Sequence, residues 1–331
     1  MEMIITYQPA KMNTKVKMNT KVKMLILLLC MTGIGLFWRG YMSPYTSPQV
    51  LGGPCACRRC LSEANPWFVQ HFNQSVEPFL SAKYLLTEDS FNWWRRLQLE
   101  KRSFSFYKET VDQLFQMFPS SPRVEGPRPD HCRTCAVVGN SGNLIGTPYG
   151  PMIDYHDIVI RMNGGPTQGY EAHVGTKTTH RIVYPESAVD LDDKTHLVVV
   201  PFKIMDIEWV MKALSTGFHG RSYMPVRPFI KANKDLVMVV NPAFLRYVHD
   251  NWLRKRGSYP STGFIAVVLA LHICDEVEVF GYGADADGNW NHYWETLKNK
   301  RLKTGLHPGN HEYDMIQELA KQQSLKFYKP T

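Results

Sequence analysis

The sequence lacks long apolar runs and two common site motifs. No G-x-G-x-x-G occurs in its 331 residues, which argues against the dinucleotide fingerprint of Rossmann enzymes. No H-E-x-x-H occurs either, which argues against the helical zinc site of many metalloproteases. The apolar run at residues 24–38 has only 15 residues, whereas an ordinary membrane-spanning helix needs about 20. The chain therefore offers at most one short candidate span at its N-terminus.

Positive charge is uneven along the chain. The formal net charge is +8, and the first 23 residues hold +4 of it, because they carry five lysines against Glu2. Half of the net positive charge therefore lies in the N-terminal tail, and the charge of the chain is poor evidence for nucleic-acid binding. The mildly basic remainder of the chain still suits an anionic substrate.

The charges around the apolar run predict its orientation. Five lysines precede residues 24–38 and Arg39 follows, which places the N-terminus in the cytosol. A cleaved signal peptide is the alternative, but no small-x-small cleavage site follows the run. We therefore predict a cytosolic basic tail (1–23), a transmembrane signal anchor (24–38), a stem (39–54) and a lumenal catalytic domain (55–331). In the lumen, the single N-x-S/T sequon, at Asn73, is an expected N-glycosylation site.

The seven cysteines allow two interpretations. Cys30 lies in the apolar run, and the other six form an even set beyond it. Such a set fits disulfides in an oxidising lumen. The rival interpretation is zinc, because C-x-x-C spacing occurs at Cys57 and Cys60 and again at Cys132 and Cys135. The predicted membrane topology favours disulfides.

The most informative stretch is 135–163. An apolar, strand-prone run, Ala136-Val137-Val138, breaks into the polar turn Gly139-Asn140-Ser141-Gly142-Asn143. A second apolar run ends at Arg161-Met162-Asn163. Because ligands of parallel α/β sheets bind beyond the carboxyl ends of the strands, these two turns predict a nucleotide pocket.

The chain after Asn163 alternates between strand and helix patterns. This alternation predicts a three-layer, Rossmann-like α/β domain with a mainly parallel central sheet. The predicted strands are 179–184, 196–201, 236–240 and 276–280, and the predicted helices are 206–215, 242–256 and 262–272.

Two later stretches carry candidate chemistry. In 259–283, Ser261 would cap an apolar helix, which makes either an anion site or a plain N-cap. In 289–312, His292, His307 and His311 are candidates for metal ligands or for a general base near neutral pH. Two D-x-D patterns, Asp190-x-Asp192 and Asp285-x-Asp287, match the motif that holds a divalent metal on nucleotide-sugar phosphates.

Four stretches together resemble the animal sialyltransferases, Golgi type II glycosyltransferases that use CMP-sialic acid. Residues 135–163, continuing to Ser187, resemble the large sialylmotif, and 259–283 resemble the small one. His292-Tyr293-Trp294 resembles motif III, and His307 with Glu312 five residues later resembles the very small motif. The chain is most similar to the β-galactoside α-2,3-sialyltransferases of types 1 and 2, with type 1 preferred, which act on Galβ1-3GalNAc.

The resemblance implies a fold, a reaction and residue roles. It implies a GT-A-like variant without a metal-binding D-x-D, hence no metal and no cofactor, with CMP-sialic acid as the donor substrate. His307 would be the catalytic base, and His292 would hydrogen-bond the donor phosphate. Gln98, Tyr223 and Tyr259 would hold the acceptor galactose. The other implied substrate- or CMP-binding residues are Asn140, Asn163, Ser187, Ser261, Gly263 and Gly283, and the implied disulfides are Cys135–Cys274, Cys57–Cys132 and Cys55–Cys60.

Two alternative functions stay open at this point. One is a metal-dependent Golgi glycosyltransferase that uses Asp285 and Asp287. The other is a membrane-anchored sugar-binding protein without turnover. The expected partners are glycoprotein or glycolipid acceptors and the Golgi membrane, with the catalytic domain in the lumen or secreted after stem cleavage.

Overall fold

A parallel β-sheet forms the centre of the structure. The computed structural model describes residues 19–21, 24, 55–57, 61, 65–122, 128–284, 288–296 and 307–329. The predicted anchor and stem lie almost entirely outside these residues, and within them no helix has the length and apolarity that a membrane span requires. The chain divides into Met1–Leu51, of which only residues 19–21 and 24 are described, and the compact unit Gly52–Thr331.

The described part of the sheet has seven strands in the order β5-β4-β3-β2-β1-β6-β7. Every neighbouring pair is parallel, so the carboxyl ends of all the strands meet at one edge. The four predicted strands after Asn163 are present, and that at 276–280 has the predicted bounds. The strands are β1 (Thr134–Val138), β2 (Ile158–Met162), β3 (His180–Val183), β4 (His196–Val199), β5 (Val237–Val239), β6 (Glu276–Phe280) and β7 (Lys326–Tyr328).

Helices connect the strands and cover the sheet, as predicted for a layered α/β domain. In chain order, the α-helices of the described residues are α1 (Pro66–His71), α2 (Glu88–Trp94), α3 (Phe104–Met117), α4 (Gly150–Tyr155), α5 (Glu171–Val174), α6 (Ile204–Ala213), α7 (Pro242–Tyr247), α8 (Thr262–Ile273) and α9 (Gly309–Lys321).

Two predicted helices have different bounds in the structure. The helix predicted at 206–215 spans Ile204–Ala213, so both ends lie two residues earlier. Its start is set by the Asp206 carboxylate, which reaches back to accept the backbone N–H groups of Phe202 and Lys203. The helix predicted at 242–256 ends at Tyr247 and continues as a π-helical segment, Val248–Trp252. Capping and a change of helix type therefore account for these errors.

Helix α8 lies in the core of the domain. Of its 12 residues, all from Phe264 to Leu271 are buried, and its sequence is apolar on every side. A helix with this pattern is stable only when it is enclosed. Its burial fixes the position of its first turn beside the carboxyl ends of the strands.

The structure contains two of the implied disulfides. Cys57 is bonded to Cys132, and Cys135 in β1 is bonded to Cys274 directly after α8. The zinc interpretation is wrong for these cysteines, because their sulfurs are bonded to each other. The implied Cys55–Cys60 bond involves a residue outside the described part of the chain.

Candidate active site

The loops after β1 and β6 are joined by short hydrogen bonds. The N–H of Gly139 donates to the Phe280 carbonyl at 2.7 Å, and the N–H of Ser141 donates to the Gly281 carbonyl at 3.1 Å. The Ser141 hydroxyl donates to the Gly283 carbonyl at 2.7 Å. A Cβ atom on Gly139 would lie only 2.1 Å from the Gly281 carbonyl oxygen. The glycine therefore permits two backbone segments to meet at the point where the order of the strands reverses along the chain.

Asn163, at the end of β2, is held in an unusual backbone conformation. Its φ is +54°, a left-handed value that asparagine tolerates better than most residues. Its side-chain oxygen accepts a hydrogen bond from the Ser187 hydroxyl at 2.9 Å. The Asn140 amide lies close by and donates to the Met162 carbonyl at 3.4 Å. The two asparagines predicted from the strand ends are therefore neighbours at one edge of the sheet.

A cavity of about 540 Å³ opens beyond the carboxyl ends of β1, β2 and β6. All four stretches that were singled out in the sequence contribute to its wall. A larger groove, of about 740 Å³, runs along β7 and is lined by none of the predicted site residues. The predicted residues that line the first cavity are Asn140, Asn163, Ser261, Gly263, Gly283, His292 and His307.

His307 is oriented by a backbone carbonyl. Its Nδ1 lies 3.2 Å from the carbonyl oxygen of Tyr259, which can only accept, so Nδ1 carries the hydrogen. In the neutral ring the lone pair is then on Nε2. Burial lowers the pKa of His307, although the bond to Tyr259 opposes this effect. The neutral form that a general base needs is therefore favoured.

His292 is carried by a loop that pairs with the loop after β1. The N–H of Tyr293 donates to the Asn140 carbonyl at 3.0 Å, and the N–H of Gly142 donates to the Asn291 carbonyl at 2.7 Å. The His292 ring stacks on Trp294 with centroids 4.5 Å apart, and its Nδ1 lies 3.4 Å from the Glu295 carboxylate. These contacts hold an imidazole at the mouth of the cavity, where it can face a developing negative charge.

Glu312 is a site residue to which sequence reasoning gave no role. Its carboxylate accepts the Ser261 N–H at 2.7 Å and the Ser261 hydroxyl at 2.6 Å. The same hydroxyl accepts the N–H of Phe264 and so caps α8. Burial raises the pKa of Glu312 to about 6 in spite of these bonds. Glu312 therefore links the first turn of α9 to that of α8. In the sequence, its spacing of five residues from His307 was the signal that could have identified it as a site residue.

Replacing Glu312 with glutamine is expected to remove a pH-dependent loss of stability. The folded pKa of about 6 lies above the ordinary value of 4.5, so the folded state holds the proton more tightly and stability falls as the pH rises through this range. This difference in pKa corresponds to about 2 kcal/mol in the free energy of unfolding. The wild type loses this stability by pH 7, whereas the glutamine variant does not, because its side chain cannot titrate. Denaturant unfolding of both proteins at about pH 4.5 and pH 7 measures it; an equal stability difference at the two pH values would contradict the prediction.

The other four predicted residues are not among the described residues that line the cavity. Ser187 lies behind Asn163 and contacts it directly. Tyr259 supports His307 from the side, with ring centroids 4.8 Å apart. Gln98 lies between α2 and α3, and Tyr223 is 66% exposed, with the Lys203 ammonium 5.4 Å from its ring.

An aromatic row beside His307 was missed at the sequence level. Tyr184, at the end of β3, lines the cavity, and its ring contacts that of Phe202. Phe202 in turn packs against Tyr259, with centroids 5.2 Å apart. The rings meet at steep angles, and Tyr184 presents an aromatic surface to the cavity that suits the ring of a sugar. The position of Tyr184 at a strand end was a signal that could have identified it.

Two candidate groups from the sequence, His311 and the Asp190-x-Asp192 pattern, are not among the described residues that line the cavity. Nδ1 of His311 lies 3.3 Å from the Arg256 guanidinium, and His311 is not among the described lining residues. Asp190 is paired with Arg227 at 2.9 Å, and Asp192 accepts the Thr195 N–H, so this D-x-D stabilises a surface turn. Asp285 and Asp287 lie outside the described residues.

A parallel sheet with a cavity at its carboxyl edge, lined by backbone turns and by two histidines, is an arrangement that suits a glycosyltransferase. Residues 79–324 match glycosyltransferase family 29 (sialyltransferase), and the chain belongs to this family. The fold and the resemblance predicted from the sequence are thus confirmed.

Curated relatives and solved structures agree with this assignment. The CMP-N-acetylneuraminate-beta-galactosamide-alpha-2,3-sialyltransferase 1 of Sus scrofa is 47% identical over 283 residues, which cover 83% of this chain and 82% of the relative. The type 2 enzyme of Mus musculus is 43% identical over 285 residues, with coverages of 85% and 81%. The crystal structure of a mammalian sialyltransferase has a TM-score of 0.79 at 46% identity and covers 84% of this chain and 100% of that one. A complex of a mammalian sialyltransferase with Gal-beta-1-3GalNAc-ortho-nitrophenol has a TM-score of 0.77 at 44% identity, with the same coverages.

Proposed function

We propose that the enzyme transfers sialic acid from CMP-sialic acid to the 3-hydroxyl of the terminal galactose in Galβ1-3GalNAc, on O-glycans or glycolipids, in α-2,3 linkage. The observation that carries the proposal is the convergence of the two asparagine turns, the first turn of α8 and both histidines on one cavity. The names of the type 1 and type 2 relatives support the donor and the linkage. The solved complex supports the acceptor.

The proposed mechanism assigns one task to each histidine. Departure of CMP leaves positive charge on the anomeric carbon, in an oxocarbenium-like transition state. His292 and the backbone N–H groups of the cavity stabilise the leaving phosphate, where negative charge develops. Neutral His307 removes the proton of the acceptor hydroxyl as it attacks. A single direct attack from the opposite face inverts the anomeric configuration.

The proposed cellular setting is the Golgi membrane. The lysine-rich tail and the apolar run at 24–38 support a type II anchor with the catalytic domain in the lumen. The disulfides Cys57–Cys132 and Cys135–Cys274 fit an oxidising compartment. Asn73 is exposed, as an N-glycosylation site must be.

The test is a transfer assay with the full chain, CMP-sialic acid and Galβ1-3GalNAc in the presence of EDTA. Linkage-specific sialidases identify the product. We expect an α-2,3-linked product without added metal. Product only after addition of Mn²⁺ would favour a metal site at Asp285 and Asp287. Donor binding without any transfer would favour a sugar-binding protein.

A further inference from the structure

The segment that carries the proposed base is held by one neighbouring segment at three points. Tyr259 accepts the hydrogen bond from His307 Nδ1, and Ser261 donates to Glu312. The third point is a packing contact in which a Cβ atom on Gly257 would lie 2.5 Å from Pro308 Cδ. We name residues 257–261 the clamp segment. The position of His307 therefore depends on the position of this segment.

The backbone that leads into the clamp segment adopts an unfavourable conformation. Arg254 and Lys255 have φ values of +51° and +61°, and Gly257 has a φ of +72°. Left-handed values at two successive residues other than glycine are rare. Such a conformation persists only when surrounding contacts impose it.

His249 supplies two of those contacts. Its main-chain carbonyl accepts the N–H of Lys255 at 2.9 Å. Its ring Nε2 lies 3.2 Å from the Gly257 carbonyl oxygen, which can only accept, so a hydrogen bond here requires the hydrogen on Nε2. The ring is buried, with Nδ1 facing the Asp250 carboxylate at 2.9 Å and Trp93 packed beside it at 5.5 Å. His249 is not among the described residues that line the cavity, so any effect on catalysis is indirect.

We propose that His249 is a positioning residue for the reaction, acting through Gly257 on the segment that bears His307. The ring holds Gly257 in its left-handed conformation, and Gly257 packs against Pro308. This packing contact and the hydrogen bond to the Tyr259 carbonyl together fix the position of the His307 imidazole. The inference rests on the proposed function, in which His307 is the base. Ser261, the clamp residue that lines the cavity, is held separately by Glu312, and the loops after β1 and β6 are joined by their own hydrogen bonds, so we expect donor binding not to depend on His249.

The experiment compares His249→Phe with His249→Gln in the full-length enzyme. Phenylalanine preserves the ring volume but removes the donor to Gly257, whereas the glutamine amide retains a donor. For His249→Phe we expect kcat to fall by about 10–100-fold, the range that a misplacement of about 1 Å can produce. The KM for CMP-sialic acid and the Kd for CMP should stay unchanged, and His249→Gln should recover most of kcat.

His272→Phe is the matched control. His272 is a histidine of α8 whose ring also reaches a distant backbone carbonyl, that of Asn73, at 3.2 Å, but it has no contact with the clamp segment among the described bonds. It should lose stability without losing kcat. If His249→Phe does not fold, Gly257→Ala tests the next contact of the argument, that of Gly257 with Pro308, and should show the same loss of kcat with unchanged CMP affinity.

The outcomes separate this inference from the proposed function. A normal kcat in His249→Phe, or a loss of kcat with a parallel loss of CMP affinity, would overturn the positioning role. Equal defects in His249→Gln and His249→Phe would also overturn it. Transfer by His307→Ala at the wild-type rate would instead show that the base has been assigned wrongly, and the inference would fail with it.

Discussion

Replacing His307 with alanine is expected to lower kcat by about 10²–10⁴-fold, the usual contribution of a general base. The galactose hydroxyl is a weak nucleophile, and the variant has no group to accept its proton. CMP binding should remain, because the loops after β1 and β6, which line the proposed donor site, are not altered. Steady-state transfer and calorimetric titration with CMP measure the two effects separately.

The pH dependence of the wild type provides a second check on His307. Burial holds its pKa below the ordinary value of 6.5, so the ring is neutral at pH 7. Activity should fall as the pH drops through this lowered pKa and the base becomes protonated. His311→Ala is the comparison, since His311 contacts Arg256 rather than the cavity. A loss of transfer in His311→Ala with normal transfer in His307→Ala would move the base to His311.

Gly139→Ala is expected to abolish CMP binding and to lower the free energy of unfolding by about 3 kcal/mol or more, because overpacking that backbone cannot relieve is costly. The added methyl would lie 2.1 Å from the Gly281 carbonyl oxygen, an atom that also accepts the N–H of Ser141. The loops after β1 and β6 would have to separate. Denaturant unfolding and CMP titration measure the result.

Gly142→Ala is the control for this prediction. It places a methyl group in the same turn, but the nearest atom would be the Asn291 carbonyl oxygen at 3.4 Å, a tolerable distance. It should bind CMP nearly as well as the wild type. If Gly139→Ala also bound CMP normally, the close approach of the two loops would not be required for the donor site.

The features that could be predicted from the sequence are local ones. The strand β6 and the turn at Asn140 follow from an apolar run and the residues directly after it, and Ser261 is followed by an apolar run that it caps. These patterns involve neighbours in the chain, so propensity and turn chemistry determine them. The sheet edge then brings Asn140 and Asn163 together without further information.

The features that escaped prediction depend on contacts between distant segments. The pairing of Glu312 with Ser261, 51 residues away, has no local pattern. The left-handed backbone at Arg254 and Lys255 is imposed by packing, whereas their sequence reads as the end of a helix. The implied acceptor residues Gln98 and Tyr223 lie in irregular segments, where periodicity carries no positional information.

The pairing of β1 with β6 also determines when the enzyme can become active during its own synthesis. Both loops of the proposed donor site must be present, yet Cys135 in β1 and Cys274 just before β6 are 139 residues apart. Contacts at such separation form slowly, because the intervening chain must be closed first. A nascent chain that stops before Gly283 has no donor pocket, however well its first strands have folded. The active site is thus a late product of folding, and the Cys135–Cys274 bond becomes possible only once α8 has been made.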